Sequence, residues 1–316
     1  MISGVRKIPT YHLLCGFDAR SLAVSEDSEG QFHIMAYATK AGHTLVDRRL
    51  YMPKKSWIQD GERCREAHVP EEVVFATKPQ LAAEMLWYAL HAGLPAKWVT
   101  GDCVYGSNGP LRAGLESRKK AYALCVKCSE KVQVQGESKR VDRIAAAIEA
   151  SQWQRLSAGE GSKGPRLYDW ACVELDKPEQ EGWQRHLLIR RNLESGEKPA
   201  KQAYVLVFAP IGTTIQEMVE AHGARWTVEQ CLEEGKGEVG LDEYEVRSWH
   251  GWYRHITLAM FAHAFLTVLR TQSQAPMEDV GQDKELCEKK RWRPSQPPLP
   301  SQSLNAFKRL RGLACP

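Results

Sequence analysis

The chain has 316 residues, 43% of them hydrophobic and 26% charged, enough for one large domain or two ordinary ones with a real core. Its net charge of +4 does not by itself declare a nucleic-acid binder, so the distribution of charge matters more than the sum. Met1 to Thr10 lacks an apolar run, and the stretch Ile256 to Leu269 is broken by Thr257, His263 and Thr267; no signal peptide and no membrane span is expected, and nine scattered cysteines point to a soluble protein of a reducing compartment.

Residues 1 to 30 are the least regular part, with a strand-like run at Tyr11 to Phe17 and a polar turn at Ser25 to Gly30. Phe32 to Thr39 and Thr44 to Tyr51, joined by Lys40-Ala41-Gly42-His43, read as a hairpin. Leu81, Met85, Tyr88 and Ala89 have helical spacing, and Gly93 with Pro95 ends that helix. A strand at Lys97 to Thr100 runs into Gly101-Asp102, a helix follows from Pro110 to about Lys119, and Tyr122 to Val126 is a strand. This order predicts a mixed α/β sheet with helices packed against it.

From about 127 to 202 the chain is more polar, with short strand-like pieces at Lys131 to Gln135, Trp170 to Leu175 and His186 to Arg190. A helix is expected near Val141 to Ala150, and Gly159 to Pro165 reads as a loop. This stretch is taken as an inserted, mainly β subdomain. A strand at Ala203 to Phe208 then gives way to helices at Ile215 to Glu220, Arg225 to Glu234 and Tyr253 to Arg270. The tail is basic and Pro/Ser-rich, and a solvated, mobile charge run explains it slightly better than a DNA contact does. The division expected is a divergent segment 1–33, a core in two parts (34–126 and 203–270), the insertion 127–202 and the tail 271–316.

Two segments carry chemistry. In Trp98-Val-Thr-Gly-Asp102-Cys-Val-Tyr105-Gly106 a carboxylate closes a strand, at the end of a sheet where α/β folds bind ligands. It can offer hard oxygen ligands to Mg²⁺, although an Asp opening a turn is commonplace. In Arg225-Trp-Thr-Val-Glu229, continuing to Lys236, the spacings of four and seven residues put the three charges on one helix face. Intrahelical salt bridges on a solvated surface fit that trio equally well. Cys125 and Cys128 form a single C-x-x-C with no second pair at metal-binding spacing.

Together these segments resemble bacterial insertion-sequence transposases of the DDE superfamily, the group with the Y-R-E-K signature. Arg225, Glu229 and Lys236 match its last three letters, and His222 stands at the Tyr position. Thr44 to Tyr51, Phe75 to Pro79, Gly161 to Trp170, Gly240 to Trp249 and Tyr253 to Met260 also resemble the group, so the likeness covers roughly residues 34 to 270. It implies an RNase H-like fold, DNA transposition by strand cleavage and transfer, and two Mg²⁺ (or Mn²⁺) ions held by three acids. Asp102 and Glu229 would be the second and third acids, with Arg225 and Lys236 on phosphates. Trp153, Trp170 and Trp183 either stack on a displaced base or form the core of the insertion. The resemblance also implies DNA ends as partner, a homo-oligomer, and a bacterial cytoplasmic location at the nucleoid.

Residues 1 to about 33 depart from the pattern. No run resembling the family's first acid motif, D-x-T-G-F-x-K-K-G, is present, and Asp18 in Cys15-Gly-Phe-Asp18-Ala-Arg has unrelated surroundings. The expectation is a truncated copy without strong activity and of poor solubility. A non-catalytic DNA-binding remnant is the alternative, ahead of another RNase H-like nuclease.

Overall fold

The computed structural model describes residues 32–39, 42–161, 164–193 and 201–274. The chain divides after Ser273 into two units, and the account below concerns the first. The strand-like run Tyr11 to Phe17, Asp18 and the basic tail lie outside the described residues.

Alternating side chains set the first element. Strands β1 (Phe32–Ala38) and β2 (His43–Leu50) pair antiparallel, with a bulge where Met35 faces Asp47 and Ala36 faces Leu45. Phe32, Ile34 and Ala36 pack with the C-terminal helices, while Met35 joins the opposite core, so β1 is buried on both faces. A short helix α1 (Gly61–Glu66) is capped by Asp60, whose Oδ1 accepts from the Arg63 N–H at 3.0 Å. Helix α2 (Lys78–His91) opens on a Thr77/Gln80 capping box and buries Leu81, Ala82, Met85, Leu86 and Ala89.

Strand β3 (Trp98–Gly101) leads through α3 (Cys103–Gly106) and α4 (Gly109–Ser117) to β4 (Ala121–Val126), which lies parallel to it. Parallel neighbours need such a helical crossover. A small hairpin, β5 (Lys131–Val134) and β6 (Glu137–Arg140), and a helix α5 (Val141–Ala146) follow. Then come β7 (Gln154–Gly161), β8 (Gly164–Glu174), β9 (Trp183–Arg191) and β10 (Gln202–Pro210). The main sheet has the order β3-β4-β10-β9-β8-β7. Strands β7 to β9 thus continue the sheet that holds β3 and β4, and only β5–β6 stands apart within the polar stretch. Helices α6 (Ile215–Gly223), α7 (Trp226–Val239) and α8 (Trp249–Gln274) complete the unit. Gly240 ends α7 with a left-handed φ of 65°, a conformation that costs glycine little. This is the mixed α/β architecture the sequence predicts, a six-stranded mixed sheet flanked by helices and consistent with an RNase H-like fold.

Three apolar cores hold it together. One lies between α2, α4 and one face of the sheet. A second, on the other face, includes Met218, Val219 and Ala221 of α6. The third joins the β1–β2 hairpin to α7 and α8 through Ile34, Leu45, Val228, Leu232 and Ile256. Among the described residues β1 and β3 each have one hydrogen-bonded neighbour strand, and the hairpin meets α3, just after β3, through His33 and Tyr105.

Candidate active site

Asp102 follows directly from β3 and caps α3. Its Oδ1 accepts from the Val104 N–H at 2.7 Å, and the residue is buried. The turn needs Gly106, because a Cβ there would lie 1.8 Å from the Cys125 carbonyl oxygen. Tyr105 is fully buried beside it, and its hydroxyl lies 2.9 Å from His33 Nδ1 on β1. Burial, and then the charge of Lys78, lower the His33 pKa to about 4, so this ring is neutral at pH 7. Lys78 at the start of α2 feels the Asp102 charge, which raises its pKa against a larger lowering by burial.

Glu229 lies in the first turn of α7. Arg225 Nη2 donates to Glu229 Oε1 at 2.8 Å, the contact that a spacing of four residues predicts. Asp102 and Glu229, so far apart in sequence, line one cavity of about 590 Å³. Among the described residues they are its only carboxylates, and Lys127, Arg190, Lys201 and Arg225 line it with them. His222 also lines it, and burial with Arg190, Arg225 and Arg166 lowers its pKa to about 3. Arg166 Nη2 donates to the carbonyls of Ala158 and Gly223, at 2.8 and 3.0 Å, tying β7 to the end of α6. Lys236 is two turns beyond Glu229 on α7, outside this lining.

The three tryptophans of the polar stretch stand elsewhere. Trp170 is fully buried, and Trp183 stacks on Phe208 with ring centroids 4.5 Å apart. Trp153 packs against the sheet core under the Arg191 guanidinium, 4.1 Å from its ring centroid. The exposed tryptophan at the cavity is Trp226, 41% exposed, with the Arg225 guanidinium carbon 5.2 Å from its ring centroid. Sequence reasoning missed Trp226, Lys78 and Arg190. For Trp226 the only signal is its place next to Arg225; for the other two, contacts made across the fold leave none.

The donor set suits a hard cation. Mg²⁺ takes one or two carboxylates and fills its remaining positions with water and substrate phosphate. The nearby Cys125 thiol is pushed up to about 12 by burial, so it stays protonated and offers no soft thiolate. Among the described residues no group of three or more His, Cys, Asp or Glu side chains is placed to hold a metal ion. No described helix is long and apolar enough to cross a membrane.

No curated protein matches the chain. Residues 19–165, the part that runs through the hairpin, Asp102 and β7, match the family model of the DDE superfamily endonucleases.

Proposed function

We propose that the chain is an insertion-sequence transposase of the Y-R-E-K group, acting on phosphodiester bonds of DNA at the cavity between β3 and α7. One observation carries this reading: Asp102 and Glu229 line a single cavity, and among the described residues the other charged side chains there are cations. Asp102 and Glu229 would hold Mg²⁺ or Mn²⁺. When bound, such an ion lowers the pKa of a water nucleophile and neutralises charge on the phosphate. Arg225 orients the Glu229 carboxylate through its 2.8 Å hydrogen bond. Arg190, Lys127 and Lys201 draw a DNA backbone into the cavity as fixed or tethered positive charge. Lys236 and Trp153, further off, would contact DNA outside the reaction centre.

Among the described residues two carboxylates line the cavity, and the sequence lacks the run that the resemblance gives the first acid, so cleavage by this copy should be slow. That shortfall favours a second reading, a DNA-binding remnant that does not cut. Both are tested with purified chain, plasmid DNA and Mg²⁺. The expected result is retardation that weakens steeply with salt and slow Mg²⁺-dependent nicking that Glu229→Gln abolishes. Binding without nicking selects the remnant. No binding at low salt, or nicking that survives both Asp102→Asn and Glu229→Gln, overturns the site.

A further inference from the structure

A second cavity, of about 670 Å³, opens between α1 and the start of α8 and shares no lining residue with the one that Asp102 and Glu229 line. Small-molecule sites are of this size, roughly 300–1,000 Å³. Trp57, Trp249 and Trp252 line it together with Arg63, Glu66 and Arg247. Trp57 lies in a single wide turn, Lys54–Ile58, closed by the Gln59 N–H donating to the Lys54 carbonyl at 3.0 Å. Turns of this width are rare and collect at functional sites. The Arg63 guanidinium sits over the Trp57 ring, 4.1 Å from its centroid, and donates to the Ser56 carbonyl at 3.0 Å. The Trp249 N–H donates to the Ala67 carbonyl at 2.8 Å, which fixes the start of α8 against the end of α1. Trp252 is buried, yet its indole N–H has no hydrogen-bond partner among the described residues. Buried donors are nearly always paired, so an acceptor carried by a ligand has a place here.

We propose that this cavity takes the base of one unpaired nucleotide of DNA, an inference that rests on reading the chain as one that acts on DNA. Every base offers a ring face to Trp57 and Trp249, and an edge with carbonyl or ring-nitrogen acceptors to the Trp252 N–H. The Glu66 carboxylate accepts from a base N–H, and Arg247, exposed at the rim, pairs with the attached phosphate. A purely apolar occupant would leave the Trp252 donor and these charges unmatched. A base inside a duplex has both faces stacked and its pairing edge occupied, so it does not enter. The lining thus selects a frayed end, a gap or a flap, and is indifferent to sequence.

Fluorescence anisotropy on the full chain without metal ion tests this. The probes are a labelled strand of about twelve thymidines, the same strand with abasic sugars in place of its bases, and a blunt duplex of equal length. The thymidine strand should bind about tenfold tighter than the abasic one. Trp57→Ala should erase that preference and leave binding of the abasic strand and the duplex as they were. Trp252→Phe keeps a ring but removes the N–H, and should weaken the thymidine strand alone, by about threefold. Circular dichroism checks the fold of both variants. Should Trp57→Ala fail to fold, Trp252→Phe decides: an equal loss on both strands, or none, overturns the proposal. So does the absence of any preference for bases, or a preference that survives Trp57→Ala. A preference lost with Trp226→Ala instead would place the base at the Asp102–Glu229 cavity and overturn this site. Duplex binding that fails at low salt, while the base preference and its dependence on Trp57 hold, would overturn the transposase reading and leave this site standing.

Discussion

Two buried carboxylates, Glu116 on α4 and Asp102 at the end of β3, are handled differently. Glu116 lines a cavity of about 280 Å³ but is paired within the chain: Tyr122 Oη donates to its Oε1 at 2.7 Å, and Arg185 donates to Oε1 and Oε2 at 3.1 and 2.5 Å. One guanidinium fork and one hydroxyl occupy it, and burial beside that carboxylate holds the Tyr122 phenol well above its usual pKa. Asp102 and Glu229 instead share a cavity with Lys127, Arg190, Lys201 and Arg225, so that among the described residues its cations outnumber its acids. Burial alone therefore does not mark a site. Glu116 takes up one guanidinium fork inside the fold, whereas the cavity that Asp102 and Glu229 line brings Lys127, Arg190, Lys201 and Arg225 together, an arrangement suited to a negatively charged visitor.

The largest effect that could break this contrast is catalytic. Glu229→Gln should cut Mg²⁺-dependent nicking by about a thousandfold, near 4 kcal/mol of barrier, and leave the melting temperature almost unchanged. Glu116→Ala should do the reverse. It strands Arg185 and Tyr122 and should cost about 3 kcal/mol in urea unfolding, with DNA retardation intact once the protein is refolded at low temperature. If Glu116→Ala stopped nicking while stability held, the two carboxylates would have exchanged roles.

A smaller effect sharpens the electrostatic half. Arg190→Ala should weaken DNA binding about tenfold and make the logarithmic salt dependence shallower by about one unit, measured by titration at several salt concentrations. The smallest is a pH effect. His33 and His222 are held neutral in the fold, with pKa values of about 4 and about 3 against 6.5 unfolded. Between those values the unfolded chain binds more protons, so stability is complete above pH 6.5 and is lost as the pH falls toward 4. Each histidine should contribute about 1.4 kcal/mol per pH unit at most. Urea midpoints at pH 7, 6 and 5 should fall progressively, and His222→Gln should flatten the fall.

Much of this could be read in the sequence wherever a signal is local. The hairpin, the strand ending in Asp102 and the Arg225–Glu229 bond all follow from alternation or helical spacing, and each is present. Strand β7 escaped because only Ala158 along it is buried, leaving no two-residue rhythm to detect. The stretch Gly159 to Pro165, read as a loop, is the meeting of β7 and β8, with Gly161 opposite Gly164. The helix expected to start near Tyr253 begins one turn earlier at Trp249, where Ser248 Oγ accepts from the Gly251 N–H at 3.2 Å and Trp252 packs inward. Lys78 and Arg190 reach the cavity's surroundings only through tertiary packing, and nothing in their neighbours announces it. The same holds for the tryptophans: Trp170 and Trp226 look alike in a sequence, and only the fold buries one and exposes the other.

The hairpin's side-chain attachment to α3 has a consequence for timing. Asp102 is anchored to the sheet, while Glu229 rides on a helix whose apolar partners are the hairpin and α8. A local opening of that hairpin–helix unit would carry one acid away from the other and leave the six-stranded platform standing. Hydrogen exchange should then resolve two cooperative blocks, with amides of Leu45 and Leu232 becoming labelled together and before those of Leu124 and Val205. The catalytic geometry would be the first thing lost on mild heating and the last regained.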